Sequence, residues 1–236
     1  MTQFVLVHGA WQGGWCWRPV ADLLRAHGHR VFTPTLTGLG ERAHLLTPDT
    51  GVETHVADLV ALLDCEELTD VVLVGHSYGA RPTALASAHP AVRRWVSLDG
   101  LPVTSGAALF DSAPPRAMQA AEAAAVFVGS SAVKAQPPYP PEVIGVPVDH
   151  TQHDWLQRRQ TPMPWRCFAD PLPPLPSRFH ALPKTYVLAL GNSLAGPRQG
   201  AVEARALGWP MPQIDSGHML MVTAVDETVE ALLTLA

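Results

Sequence analysis

The chain has 236 residues, 47% of them hydrophobic and 16% charged, enough apolar material for a sizeable core and too little charge for a disordered chain. With 16 Lys and Arg against 21 Asp and Glu, a net charge of -5 offers no basic surface for phosphates or anionic lipid, which argues against nucleic acid as a partner. Three cysteines, Cys16, Cys65 and Cys167, lack C-x-x-C spacing, which argues against a disulfide framework and against a zinc site.

Residues 4–7 form a short, β-branched apolar run, as expected of a strand buried on both faces of a parallel sheet. The run stops at His8 and no basic segment precedes it. That is too short for a signal peptide or a membrane span, so a cytoplasmic chain with no membrane partner is expected. Glycines at 9, 13 and 14 then allow close approach of backbone N–H groups to a ligand at the strand's carboxyl end. In this loop Trp11, Trp15 and Trp17 either line a pocket for an apolar or aromatic substrate or pack the loop against the first helix; Trp11 is the candidate substrate-binding residue.

Apolar positions at helical spacing (Val20, Leu23, Leu24) predict a helix over about 17–27, stopped by Gly28. Residues 30–33 read as a second strand, and 34–42 as a loop too rich in turn formers to be an element. Val56, Leu59, Val60 and Leu63 restore helical periodicity over 52–63. Residues 71–74 are a third buried strand, followed by Gly75-His76-Ser77-Tyr78-Gly79, a helix to about His89 and a strand over 94–98 that ends in Asp99-Gly100. This alternation implies a parallel sheet wrapped by helices. It fails over 101–183, which holds 15 of the 23 prolines. Proline removes a backbone donor, so no further sheet is expected there, only short helices near 117–128 and 154–160. The stretch reads as a cap inserted over the serine, dividing the chain into a core of 1–100 and 184–236 and a cap of 101–183. A strand at 185–190, a helix near 199–207, a strand ending at Ile214, a turn through His218 and an amphipathic helix over 222–235 complete the chain.

G-x-S-x-G between a buried strand and a helix is the pattern of a serine forced into a sharp turn at the carboxyl end of a sheet. A serine hydroxyl is a poor nucleophile until a base takes its proton, and the base needs an orienting group. Among 11 histidines, His218 stands apart because it follows the last strand and therefore lies over the same sheet edge as Ser77. The backbone N–H groups of Tyr78 and Ala10 are the candidate oxyanion donors, with His8 supporting the loop.

The phrases F-V-L-V-H-G-A-W-x-x-G-W-C-W, G-H-S-Y-G, T-P-M-P at 161–164 and the closing G-H-M-L-M-V-T resemble the α/β-hydrolase group of plant methylesterases, hydroxynitrile lyases and related bacterial esterases. The resemblance spans most of the chain and is weakest in the cap. It implies an α/β-hydrolase fold, a mainly parallel twisted sheet flanked by helices with an inserted cap, and a serine hydrolase of small esters without a cofactor. By matching motifs it carries the nucleophile to Ser77, the base to His218 and the oxyanion donors to Ala10 and Tyr78. The lyase branch has a threonine after the residue matching His8 and a lysine after the base; here Gly9 and Met219 stand there, which favours hydrolysis. Esterases of the group place an aspartate near position 192, where this chain has Asn192. Asp99, at the end of the strand beside the nucleophile strand, is the preferred acid, with Asp215 as its rival. Glu203 and Asp226 fall on predicted helices and are expected to be solvated. The resulting expectation is a serine carboxylesterase of a small apolar or aromatic ester, methyl esters included, working through an acyl-enzyme with no metal. A C–C-cleaving lyase and a weakly catalytic ligand binder are the alternatives, and a homodimer is compatible with the chain.

Overall fold

The computed structural model describes the whole chain apart from the side chain of Ser112. Six strands form a parallel sheet: β1 (Gln3–Val7), β2 (Arg30–Phe32), β3 (Val71–His76), β4 (Val92–Leu98), then β8 (Lys184–Ala189) and β9 (Gln213–Ile214) after three strands taken up below. Their spatial order is β2-β1-β3-β4-β8-β9. The chain therefore lays β2 on one side of β1 and everything later on the other, so the strand order reverses between β1 and β3. In open α/β sheets that switch point opens a crevice at the carboxyl ends of the strands.

The strands are those expected, and burial explains why they were legible. Phe4 to Val7 on β1 and Val71 to Val74 on β3 are all 0% exposed, and each such side chain contributes about 1.5–3 kcal/mol of burial. Register carries the strand ends to one level: Val7 pairs with Gly75, His76 with Leu98, and Leu98 with Val187. Whatever follows β1, β3, β4 and β8 emerges along one edge.

Helix α1 (Arg18–Ala26) buries Val20, Ala21 and Leu24, and ends before Gly28 at φ +82°. It packs beside α10 (Val225–Leu233), while α2 (Val52–Cys65) packs beside α3 (Ala80–Ala86) and α8 (Ala195–Ala206) lies on β8. Two expectations need correction. Residues Gly40–Leu45 form a 3₁₀ turn inside and beyond the predicted loop. The closing helix is broken: α9 (Leu220–Thr223) and α10 are separated at Ala224, whose φ of -144° and ψ of 61° interrupt the helical path.

The stretch between β4 and β8 departs most from expectation. Helix α4 (Pro115–Ala124) stops short, and residues predicted as its end form β5 (Val126–Val128). This strand pairs antiparallel with β6 (Val133–Gln136), which pairs antiparallel with β7 (Met163–Pro164). So a second, three-stranded sheet does exist in the proline-rich segment. Proline is tolerated because Pro164 lies in a two-residue edge strand, where a missing N–H costs no central ladder bond. Short helices α5 (His153–Gln157), α6 (Arg166–Ala169) and α7 (Ser177–Ala181) complete it. No helix among the described residues is long and apolar enough to cross a membrane.

Candidate active site

Ser77 follows β3 directly at φ +52°, a left-handed conformation, and the chain turns at once through a 3₁₀ turn (Ser77–Gly79) into α3. The turn needs its glycines. A Cβ on Gly75 would stand 2.5 Å from the Gly79 carbonyl oxygen, and one on Gly79 would stand 2.6 Å from that of His8.

His218 brings its Nε2 to 2.9 Å from Ser77 Oγ, and its Nδ1–H donates to Asp99 Oδ2 at 2.7 Å. Ser77 is 8% exposed, His218 3% and Asp99 0%. A buried carboxylate needs donors to offset lost hydration. Asp99 has two more: the Ala189 N–H on Oδ1 at 3.3 Å and the Asn192 side-chain amide on Oδ2 at 2.6 Å. Asn192 Oδ1 accepts the Leu194 N–H at 2.9 Å, which fixes the direction of that amide. Its Nδ2 also lies 3.3 Å from His218 Nδ1, so two donors converge on one carboxylate oxygen. Asp99 thus stands where an anion behind the imidazole would be required. Asp215 is exposed, and the hydrogen-bond partners of the His218 ring are Asp99, Ser77 and Asn192 instead.

Three further histidines, of which only His8 was expected in its loop-supporting place, are buried and held neutral. His76, inside the elbow motif, donates Nε2–H to the His218 carbonyl at 2.9 Å, and its ring lies 4.6 Å from the His218 ring. Burial and the neighbouring His218 hold it well below the usual imidazole range. His55 donates Nε2–H to the Thr37 carbonyl at 2.9 Å, leaving Nδ1 to accept the Tyr78 hydroxyl at 2.8 Å. This pins residue 78, and burial lowers the His55 pKa to about 4. His8 Nδ1–H donates to the Gly9 carbonyl at 2.8 Å and Nε2 accepts the Leu36 N–H at 3.0 Å, with burial lowering its pKa to about 4. It supports the loop and is remote from Ser77 Oγ in its bonding.

The loop after β1 lies on the elbow: a Cβ on Gly9 would be 2.8 Å from Ser77 Cβ. Gly9, the residue before Ala10, therefore lies against the serine, and Tyr78 follows the serine in the chain. Trp11 is 8% exposed between this loop and the segment 101–183, its indole donating to the Gln136 carbonyl at 3.1 Å. Trp15 and Trp17 pack instead: Trp15 meets Trp155 edge-on at 5.0 Å, and Trp17 is fully buried against His76. Glu203 departs from expectation. It is half-buried and accepts the Val103 N–H at 3.1 Å, and burial raises its pKa. Asp226 is exposed. Among the described residues no group of three His, Cys, Asp or Glu side chains is placed to hold a metal ion.

A serine, an imidazole and a carboxylate in hydrogen-bonded sequence at a parallel sheet's carboxyl edge form the arrangement used by hydrolases of the nucleophilic-serine class. Residues 4–231 match the alpha/beta hydrolase family, and the chain belongs to it. It is 37% identical, over 100% of both chains, to the "Carbendazim hydrolyzing esterase" of Nocardioides sp. (strain SG-4G). It is 42% identical to "Methylesterase 8" of Arabidopsis thaliana, over 35% of this chain and 31% of the relative. An extracellular alpha/beta-hydrolase from a Paenibacillus species shares the fold with a TM-score of 0.81 at 22% identity, covering 99% of this chain and 98% of its own. Family, end-to-end esterase relative and site geometry together define a carboxylic ester hydrolase.

Proposed function

We propose that the protein hydrolyses a small apolar or aromatic ester through an acyl-enzyme on Ser77. His218 Nε2 takes the hydroxyl proton as Ser77 Oγ attacks the carbonyl carbon. Asp99 keeps Nδ1 protonated and stabilises the imidazolium that forms. The N–H groups of Ala10 and Tyr78 receive the developing oxyanion, each donor being worth about 3 kcal/mol in the transition state. His218 returns the proton to the departing alcohol, then activates the water that frees the acid.

The observation that carries this reading is the buried chain Ser77 Oγ, His218, Asp99 with contacts of 2.9 and 2.7 Å. The segment 101–183 acts as a cap, a reading supported by Gly145: a Cβ there would lie 2.5 Å from the His218 backbone nitrogen. Aromatic residues of that segment gather at Trp11, with Tyr139 at 4.8 Å and Phe168 at 6.1 Å between ring centres, and this supports a flat or apolar acyl group. The named substrates of the relatives make methyl esters and carbendazim the first compounds to try. A lyase reading has less support, because the residue after the base, Met219, is 0% exposed and its sulfur accepts the Gln12 side-chain amide at 2.9 Å. No cation stands there to partner a cyanide leaving group. A cytoplasmic location belongs to the same proposal, supported by three cysteines that are all unpaired.

The test is a panel of p-nitrophenyl esters, aromatic methyl esters, carbendazim and mandelonitrile, with fluorophosphonate labelling. Ester turnover and labelling that both vanish in Ser77→Ala and His218→Ala are expected. Cleavage of mandelonitrile with no ester turnover would refute the esterase reading.

A further inference from the structure

Trp11 has φ +66°, a backbone conformation rare for a bulky side chain. Such a residue persists where its surroundings over-determine it. Its side chain and carbonyl are held by the segment between β4 and β8. The Trp11 carbonyl accepts the Thr161 N–H at 2.8 Å, and the indole Nε1–H donates to the Gln136 carbonyl on β6 at 3.1 Å. The Tyr139 ring lies 4.8 Å away and the Phe168 ring 6.1 Å. Thr161 is in turn tied to the loop before α2, its hydroxyl accepting the Gly40 N–H at 2.9 Å.

Ala10 sits between this gripped tryptophan and a second pinned residue. A Cβ on Gly9 would stand 2.8 Å from Ser77 Cβ and 2.9 Å from His76 Nδ1, so Gly9 is pressed against the elbow. One residue suspended between two fixed neighbours has little freedom to turn its amide. The only polar atom of the Trp11 side chain is already bonded within the chain, and the residue is 8% exposed. It has nothing polar left to offer a substrate.

We propose that Trp11 is a positioning residue: through it the segment 101–183 sets the direction of the Ala10 amide toward the oxyanion. The inference rests on the reading of Ala10 as an oxyanion donor. It makes seating of that segment a condition for fast chemistry, although none of its residues need touch the reacting atoms. An oxyanion donor acts on the transition state and little on the bound ester, so loosening it lowers kcat and spares KM.

The test is Trp11→Phe in the full chain, which keeps a ring and removes the N–H. With p-nitrophenyl acetate, kcat is expected to fall about 10-fold with KM changed less than about 2-fold, short of the loss from deleting a donor outright. Inhibition by phenylboronic acid, which forms a tetrahedral adduct on a reactive serine, should weaken by the same factor. A residue that merely walls the substrate pocket would raise KM and leave kcat in place. Tyr139→Leu, at a position 42% exposed, carries the same test if Trp11→Phe fails to fold, with a smaller loss again in kcat. Wild-type kcat, or a loss confined to KM, in the variant that folds overturns the proposal. A wild-type enzyme that neither hydrolyses the ester nor takes a fluorophosphonate label overturns the hydrolase reading and this inference with it.

Discussion

Exchanging the carboxylate and the amide that face His218 tests which group stabilises the imidazolium. Asp99→Asn removes the anion and sets an amide against Nδ1, which disturbs the tautomer that the base needs; a loss in kcat on the order of 10⁴ is expected. Asn192→Asp alone instead puts two carboxylates where Nδ2 and Oδ2 now stand 2.6 Å apart. Two full charges at that separation repel by roughly 6 kcal/mol at an effective dielectric of 20. The pair therefore holds one proton between its members at neutral pH, as close carboxylates do. One negative charge remains behind the imidazole, so most activity survives, with a new alkaline limb where the shared proton leaves. The double variant Asp99→Asn/Asn192→Asp restores an anion from the other side. The 192 side chain reaches 3.3 Å from Nδ1 against 2.7 Å for Asp99, so the recovered bond is longer and recovery incomplete. We expect the double variant to exceed Asp99→Asn by about 100-fold, a difference of roughly 2.7 kcal/mol in barrier. The assay is kcat/KM for p-nitrophenyl acetate across pH 5–9, with melting curves confirming that each variant folds. Equal activity of the single and double variants would refute the idea that position 192 can seat the acid. Undiminished activity in Asp99→Asn would remove Asp99 from the mechanism altogether.

Gly145→Ala adds a Cβ 2.5 Å from the His218 nitrogen and 2.8 Å from Gly217 Cα, at a residue with φ +85°, so it should cost at least 10-fold in kcat/KM and about 1–3 kcal/mol in stability. Gly129→Ala has the same handedness, φ +72°, with nothing within 4 Å, and should show the smaller backbone cost and unchanged turnover; indistinguishable kinetics in the two would contradict a cap seated on the base loop. Stability should fall as pH drops below about 6.5, because His8 and His55 have native pKa values lowered to about 4 while the unfolded chain titrates at the ordinary value. Between those limits the unfolded state binds more protons, so acid favours unfolding, and the two residues together remove roughly 3 kcal/mol between pH 7.5 and 5.5. His153, whose pKa is raised by Asp154 and Glu142, acts in the opposite sense. A melting temperature flat across that interval would show that these imidazoles are not buried neutral.

The parallel sheet was legible because strands buried on both faces are written as unbroken apolar runs, as in 71–74, where every side chain is 0% exposed. The meeting of Ser77 with His218 was legible for a related reason: parallel strands send their carboxyl ends to one edge, so residues that follow β3 and β9 converge without any knowledge of loops. The second sheet was not legible. Strands β5, β6 and β7 have three, four and two residues, too short to show a period, and Pro164 on the last disguises an edge. Nor could the sequence reveal what Asn192 does. Read against relatives it is an acid that is absent; in space it is a donor that helps hold the Asp99 carboxylate, 93 positions earlier. The histidines were the hardest residues to sort, because composition cannot separate His76, bonded to the His218 carbonyl, from an exposed one.

Backbone strain supplies a further argument for where function resides. Six non-glycine residues have positive φ: Trp11, Glu67, Asp70, Ser77, Asp99 and Ala132. Ser77 and Asp99 each follow a strand directly, at the carboxyl ends of β3 and β4, and Trp11 lies within the short loop after β1. A strand prolonged in its own direction carries each next side chain to one face or the other of the sheet. To stand a hydroxyl and a carboxylate above the edge, facing one imidazole, the chain must bend within a single residue, and the left-handed region is where it can do so. The cost is on the order of 1–3 kcal/mol at each such position. The strands immediately before them offset it: Val74, Val96 and Leu98 are wholly buried, each side chain contributing a similar amount. The buried sheet therefore holds in place the strained residues that the proposed chemistry requires, and sheet stability and site geometry are two consequences of the same strand ends.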